Sequence, residues 1–191
     1  MSIKKDFTET PAGAFIAEDT KAEIISDVYT QKGDCYYEMG KHEEAFLQYD
    51  SALVYNKDNV LCLNNYAYFL SLLNKDLGKA EEMSYKTVKA EPTNNTYLDT
   101  YAWILFEKGK YAEARIYIDQ ALQNGGDKSS VVVEHCGDIY WMTGEQEKAL
   151  EYWKQAEKLA TEPTENESEK RDEKELALLK KKITNKKYYT K

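Results

Sequence analysis

A small residue recurs every 34 or 35 positions along this chain of 191 residues, and no other feature constrains the fold as strongly. One series consists of Gly33, Ala67, Ala102 and Gly137. Two more series keep the same step and comprise Ala45, Ala80, Ala114 and Ala149, then Ala52, Thr87, Ala121 and Ala156. Units of this length bury a core by stacking on one another. The sequence therefore predicts a repeat array.

Each unit is predicted to form two helices. In the third unit, apolar residues follow helical spacing from Tyr97 to Phe106 and again from Tyr111 to Leu122. Gly109 lies between these stretches, where a glycine permits the left-handed conformation that ends a helix. The recurring Gly and Ala residues are expected where two helices cross closely, because a large side chain there would force the backbones apart.

These units resemble the tetratricopeptide repeat (TPR) family. The first copy supplies Tyr29, Gly33, Tyr36, Gly40, Ala45, Tyr49, Ala52 and Leu53; the third supplies Ala102, Gly109, Ala114, Ala121 and Leu122; the fourth supplies Gly137, Tyr140, Gly144, Ala149, Trp153 and Ala156. The second copy departs most from the pattern, with Ser84 in place of an aromatic residue and one extra residue between Asn74 and Leu77. The strings LNNYAYFLS and YLDTYAWILF also look like a bacterial TPR subfamily, many of whose members are exported or envelope-associated.

The resemblance implies an all-α fold, a right-handed superhelical solenoid of four TPR helix-turn-helix repeats with a C-terminal capping helix. We assign the repeats to residues 26–59, 60–94, 95–129 and 130–163. An N-terminal segment with the start of the first helix (1–25) precedes them, and the capping helix with a basic tail (164–191) follows.

Both ends of the array carry signals of their own. Thr20 and Glu23 have capping-box spacing, which predicts that the first helix begins near Lys21 and that residues 1–18 are irregular, with Phe15 and Ile16 docked on the first hairpin. Residues 162–170 are predicted to be a polar linker. After it, Leu176, Leu179 and Ile183 form one stripe of a helix. The Lys-rich run 180–191 is interpreted as a solvated basic end, with an interaction tail as the alternative.

Charge limits the classes of partner. The net charge is −8, and residues 162–191 carry nine Lys or Arg against seven Asp or Glu, so residues 1–161 carry −10. An acidic body repels phosphate backbones, so nucleic acid is a poor partner. No apolar run is long enough to cross a bilayer. We expect a cytoplasmic protein, or a periplasmic or envelope-associated one if the N-terminus was trimmed.

Catalytic, cofactor and metal sites have no signal in the sequence. The three cysteines, Cys35, Cys62 and Cys136, are far apart and outside any metal-ligand spacing, so they are interpreted as small buried residues. His42 and His135 lack a ligand-type partner three or four residues away. We predict a non-enzymatic protein without a cofactor.

The TPR resemblance implies that the first helix of each repeat lines an inner, concave groove. The predicted groove residues that could contact a ligand are Asp34, Tyr37, Asn64, Asn65, Tyr68, Asp99, Trp103, Phe106, Glu134, Asp138 and Trp141. They make the groove acidic and aromatic, which favours a basic or apolar polypeptide segment. The alternative for Trp103, Phe106 and Trp141 is that each ring packs on neighbouring helices.

TPR domains that clamp acidic chaperone tails carry Lys, Asn and Arg in their grooves. Here Asn65 matches one such place, but Thr30 and Asp34 occupy the first-repeat pair and Thr96 and Thr100 the third-repeat pair. Without cations a carboxylate clamp should fail, so this function is rejected. The leading hypothesis is a scaffold or adaptor that binds another protein or peptide. Two alternatives remain, self-assembly through exposed repeat ends and an accessory segment of a larger exported or envelope-associated complex; the oligomeric state is open.

Overall fold

The structure is a computed structural model that describes residues 7–9, 15–162 and 171–189. The described residues form these helices: α1 Glu18–Glu38, α2 His42–Tyr55, α3 Val60–Leu72, α4 Leu77–Ala90, α5 Asn95–Glu107, α6 Tyr111–Gln123, α7 Ser130–Met142, α8 Gln146–Thr161 and α9 Glu173–Asn185. A short 3-10 helix, Gly126–Lys128, lies between α6 and α7. The all-α prediction is confirmed for the repeats and for the C-terminal helix.

The chain start differs from the prediction. Strands β1 (Phe7–Glu9) and β2 (Phe15–Ala17) pair antiparallel, so residues 1–18 are not irregular throughout. The capping-box prediction is wrong, because α1 begins at Glu18 directly after β2, with Ala17 as an N-cap that makes no side-chain bond. The predicted docking of Phe15 and Ile16 depends on side chains that the structure does not describe. Positions 163–170 of the predicted linker also lie outside the described residues.

Helical hairpins turn where the sequence places glycine. Gly40, Gly109 and Gly144 have φ of +73°, +73° and +91°, in the left-handed region that glycine adopts without a steric penalty. The divergent second copy has Asn74 (φ +49°) in this place instead, followed by Asp76 (φ +38°). The Asp76 side chain accepts a hydrogen bond from the Lys79 amide and caps α4, which is how the extra residue is accommodated.

Two glycines allow an aromatic ring to lie directly on a helix backbone. A Cβ built on Gly33 would lie 2.6 Å from the Tyr49 ring, and one on Gly137 would lie 2.4 Å from the Trp153 ring. These distances are shorter than any van der Waals contact, so only glycine fits. The predicted reason for the small-residue series is therefore confirmed at both ends of the array, where α1 packs on α2 and α7 on α8.

The chain divides into two compact units, residues up to 69 and residues from 70 onwards. In the first unit, Tyr49 and Ala52 are fully buried, and the Tyr66 ring stacks on Tyr49 and Phe46 with centroid distances of 5.2 and 5.3 Å. In the second unit, α5 contributes ten consecutive buried residues from Tyr97 to Phe106. Such a helix is buried on every side, and its polar Asp99 is bonded to His135.

The predicted capping helix is α9. Its N-terminus is acidic, with Asp172 capping the Lys174 amide and Glu173 and Glu175 in the first turn. Leu179 is fully buried in a cluster with Val133, Trp153 and Ala156, and Ile183 packs against the same cluster. A C-terminal helix thus covers apolar surface of the last repeat, as predicted.

Candidate polypeptide-binding face

Five predicted groove residues lie in the first unit, and they bond mainly to one another and to the core. The Asp34 carboxylate accepts a hydrogen bond from the Tyr49 hydroxyl at 2.6 Å and two from the Asn65 amide at 3.1 and 3.3 Å. Burial, and then the bond to Asp34, raises the pKa of Tyr49. Asn64 is buried and donates to the Asn65 side-chain oxygen at 3.3 Å. Asp34 therefore joins α1 to α2 through Tyr49 and to α3 through Asn65.

Aromatic groove residues of the first unit stack on a ring that the sequence analysis did not include. Tyr37 lies flat on Phe69 with a centroid distance of 3.7 Å, and Tyr68 lies tilted against Phe69 at 5.8 Å. Tyr37, Tyr68 and Phe69 are half-buried, so part of each ring remains accessible. This pair of contacts gives the first unit a small aromatic surface of the kind that apolar side chains bind.

The groove residues of α5 are buried inside the second unit. Trp103 is 3% exposed and stacks on His135 at 4.1 Å and on Phe106 at 4.8 Å. His135 in turn bonds to the Asp99 carboxylate through Nδ1 at 2.9 Å. These contacts join α5 to α7, so Trp103 and Phe106 follow the packing alternative that the sequence left open.

Glu134 and Asp138 of α7 are occupied by a lysine from the same chain. Lys182 of α9 is fully buried, and its Nζ lies 2.7 Å from Glu134 Oε1 and 2.7 Å from both carboxylate oxygens of Asp138. Both acids are 1% exposed. The interpretation of residues 180–191 as a solvated end is therefore wrong for Lys182, although Lys180 on the same helix is exposed.

Arg171 completes this buried ionic site, which we call the Lys182 cluster (Lys182, Glu134, Asp138 and Arg171). Arg171 Nη1 lies 2.6 Å from Glu134 Oε2, and the arginine side chain is 3% exposed. Two cations thus pair with two buried carboxylates, and Arg171 Nε also lies 3.2 Å from Oε2 of the more exposed Glu175. Trp153 Nε1 also donates to Asp138 Oδ1 at 2.8 Å. Buried charges are tolerated only when paired and hydrogen-bonded in this way.

Burial raises the pKa of Asp138, while the ammonium of Lys182 opposes the shift. The Lys182 ammonium thus favours the ionised form of the buried Asp138 carboxylate. Burial also raises the pKa of the Tyr188 hydroxyl, just beyond α9. The Tyr188 ring lies 5.3 Å from Lys182 Nζ and meets Phe106 edge-to-face at 5.7 Å. Glu134, Asp138 and Phe106 therefore contact one lysine–tyrosine segment of the same chain.

Trp141 is the remaining predicted residue. It is half-buried at the end of α7 and stacks on Trp153 at a centroid distance of 5.2 Å. It packs against the cluster that holds Leu179. The exposed part of the Trp141 ring is thus the edge of the Trp141–Trp153 stack that a ligand could reach.

Sequence reasoning missed Lys182 and Arg171 as partners of the groove. One signal was available: Lys182 follows Leu179 by three residues and precedes Ile183 by one, so it belongs to the apolar stripe of α9. A second pattern concerns the bonds of the acidic residues within a hairpin. In the first and fourth repeats a Gly-Asp pair is followed, fifteen residues after the Asp, by an aromatic residue that bonds to it, as in Asp34–Tyr49 and Asp138–Trp153. Both pairs are now seen to join the two helices of one hairpin.

A profile of the tetratricopeptide repeat family matches residues 26–59 and 96–124, which lie in the first and third predicted repeats. The chain contains tetratricopeptide repeats. A TPR repeat-containing protein of Pseudomonas aeruginosa is 36% identical to this TPR chain over 81 residues. The match covers 42% of the chain and 13% of that protein, so it concerns a small part of the longer relative.

Solved structures share the fold. PilF of Pseudomonas aeruginosa superposes with a TM-score of 0.67 at 22% identity, covering 87% of this chain and 70% of PilF. A TPR protein of Parabacteroides merdae gives 0.64 at 18% identity, covering 84% and 58%. MamA from AMB-1 gives 0.58 at 22% identity, covering 70% and 78%. The TPR solenoid is thus established, and TPR proteins are in general non-enzymatic scaffolds for protein–protein interaction.

The described residues also bear on metal and membrane sites. Within residues 7–9, 15–162 and 171–189, no three His, Cys, Asp or Glu side chains are grouped so that they could hold a metal ion. Among the helices of that same part of the chain, none has the length and apolar character needed to span a bilayer. Cys62 and Cys136 are buried as predicted, whereas Cys35 is exposed.

Proposed function

We propose that this protein is a non-enzymatic scaffold whose second unit binds a lysine-bearing, partly apolar helical segment of another protein on the inner face of α5 and α7. The supporting observation is that Glu134, Asp138 and Phe106 already contact such a segment, the chain's own Lys182 and Tyr188. A face that stabilises one basic helix has the chemistry to bind another. Carboxylates that surround an ammonium at 2.7 Å give it charge-assisted hydrogen bonds.

Selectivity follows from the same contacts. An anionic segment would place a further negative charge beside Glu134 and Asp138, which are almost fully removed from water. That repulsion is strong where the dielectric constant is low. A neutral residue in the place of lysine would leave Asp138 without a cation and Glu134 with Arg171 alone, which is also unfavourable. A lysine followed by an aromatic residue about six positions later satisfies the acids and contacts Phe106.

A partner has to compete with the segment 171–189, because both require the same carboxylates. A segment of the same chain acts at a high effective concentration, commonly on the order of millimolar, and this weakens the binding of any competing ligand. The proposal therefore predicts weak capture of basic peptides by the unmodified chain. Weakening the tethered segment should increase this capture.

The test uses a fluorescent synthetic peptide with the sequence of residues 171–189 and the full-length chain. Lys182→Ala in the chain should tighten peptide binding at least about tenfold relative to the unmodified chain, as measured by fluorescence anisotropy, since the competitor has lost its main contact. Lys180→Ala in the chain is the matched control and should leave binding unchanged, because Lys180 is exposed.

Peptide variants provide the second control. A peptide that carries Lys182→Ala should not bind, and one that carries Lys180→Ala should bind like the original. If the Lys182→Ala chain keeps its helical circular dichroism but shows no gain in peptide binding, the proposal is wrong. Equal binding of an acidic peptide would also contradict it, because charge would then not decide the selectivity.

A further inference from the structure

Helix α1 is longer than the corresponding helices of the other repeats. It has 21 residues, from Glu18 to Glu38, whereas α3, α5 and α7 have 13 each. The additional two turns lie before the start of the first predicted repeat. Only Ser26, Thr30 and Gly33 of this helix are buried, so most of its surface is accessible.

One accessible side of α1 carries exposed apolar residues. Ile24 and Val28 are 47% and 59% exposed, and Cys35 is also exposed. With Gln31 they follow the spacing 4, 3, 4, which places all four on one side of the helix. We call this set the α1 stripe (Ile24, Val28, Gln31 and Cys35). Met39, 63% exposed, lies at its edge.

Charges of opposite sign border the stripe. Asp27 lies on one side and Lys32 on the other, and both are exposed. Two parallel helices can pack with such stripes facing each other. A residue on one border of the stripe then faces the residue five positions later on the other helix. Asp27 of one chain would then face Lys32 of a second chain, twice around the two-fold axis. An antiparallel pair would place like charges opposite one another.

We infer that the α1 stripe is a self-association surface, through which two copies of this chain pair their first helices in parallel around a two-fold axis. Burial of Ile24 and Val28 against their counterparts removes apolar area from water. The Asp27–Lys32 pairs fix the orientation, and Gln31 and Cys35 face their own counterparts across the axis. This surface lies in the first unit and does not involve the Lys182 cluster, so the inference stands or falls independently of the proposed function.

Solution mass is the first measurement. Sedimentation equilibrium of the full-length chain should give a reversible monomer–dimer equilibrium. Val28→Glu should raise the dissociation constant at least about tenfold, because it buries a charge at the centre of the interface. The matched control is Val54→Glu on α2, where Val54 is 83% exposed and outside the stripe; it should leave the equilibrium unchanged. A monomeric mass at every concentration, or a dimer that Val28→Glu does not weaken, would overturn the inference.

Orientation is tested by charge exchange. Asp27→Lys and Lys32→Asp should each weaken the dimer, since each creates two like-charge contacts, and an equimolar mixture of the two variants should restore it as a heterodimer. Asp27 also accepts a hydrogen bond from Asn59 at 2.9 Å, so circular dichroism and thermal melting must confirm that this variant is folded. If folded single variants associate as well as the original, or the mixture fails to recover, parallel pairing is refuted.

Cysteine crosslinking provides an independent readout. Residues that face each other across the axis of a parallel pair approach closely enough for a short bis-maleimide to join Cys35 to its counterpart. Cys62 and Cys136 are fully buried and should not react in the folded protein. Covalent dimer should form with the original chain and be lost with Cys35→Ser or in the presence of Val28→Glu. A dimer in solution without crosslinking at Cys35 would contradict the assigned geometry.

Discussion

Replacing Lys182 with methionine tests whether the Lys182 cluster holds α9 on the array. Methionine keeps the length and apolar stem of the side chain but removes the ammonium that lies 2.7 Å from Glu134 and Asp138. Removing one partner from a buried ion pair generally costs about 3–5 kcal/mol, because the remaining charge has lost its solvent and its partner. Arg171 still pairs with Glu134, and Trp153 still donates to Asp138. We therefore expect the lower end, about 3 kcal/mol.

Urea unfolding followed by far-ultraviolet circular dichroism measures this change. A loss of about 3 kcal/mol should lower the urea midpoint by about 1 M or more, given m-values of about 1–3 kcal/mol per molar. Lys180→Met is the control and should unfold like the original chain, because Lys180 is exposed on the same helix. Tryptophan fluorescence should detect whether α9 leaves first, since Leu179 packs on Trp153.

The pH dependence of this variant has a definite sign. Burial already raises the pKa of Asp138 in the folded chain, and removal of the lysine raises it further. A carboxyl group whose folded pKa exceeds its unfolded value favours folding at low pH, and this contribution is lost as pH rises through the folded pKa. The difference between Lys182→Met and the original chain should therefore shrink as the pH falls from 7 towards 4. A destabilisation below about 1 kcal/mol, or one that grows as the pH falls, would refute the reasoning.

Three further predictions test the packing. Gly137→Ala should lower the free energy of unfolding in urea by about 1–3 kcal/mol, because the added Cβ would overlap the Trp153 ring. The control Gly78→Ala should raise it by about 0.5–1 kcal/mol, because Gly78 lies in α4 and a Cβ has room there. The opposite order of the two variants would contradict the close approach at Gly137. Tyr49→Phe should cost about 1 kcal/mol through loss of one hydrogen bond, and an unchanged midpoint would argue against that bond. Burial raises the pKa of Tyr101 to about 12. In thermal melts, the original chain should therefore lose stability relative to Tyr101→Phe as the pH rises from 10 to 12. Parallel curves of melting temperature against pH for the two proteins would contradict this burial.

Much of the fold could be predicted from sequence because each signal acts within one repeat. The left-handed turn at Gly109 and the close contact at Gly137 depend on residues at most sixteen positions apart. The start of α1 could not be predicted from Thr20 and Glu23, because the paired strand β2 runs directly into the helix and sets its first turn. A local capping signal has no effect where the preceding backbone is already fixed.

The candidate site was predicted in part. The sequence identified Glu134, Asp138 and Phe106 as residues of one face, and they do lie on adjoining helices of the second unit. It assigned them to an unknown partner, whereas the structure places Lys182 and Tyr188 against them. Their role towards a partner remains a prediction, as does that of the groove residues of the first unit.

The sequence by itself determined the repeat, because the small residues, the turns and the apolar periodicity are requirements that one helical hairpin imposes on its own residues. Only the tertiary structure decided which side chains meet from distant parts of the chain. Lys182 lies 44 residues beyond Asp138, and a lysine in a charged run looks solvated until the fold places two carboxylates around it. Burial of a charge depends on partners that the fold brings together in space, so the pairing of Lys182 with Glu134 and Asp138 could not be predicted from the pattern of residues.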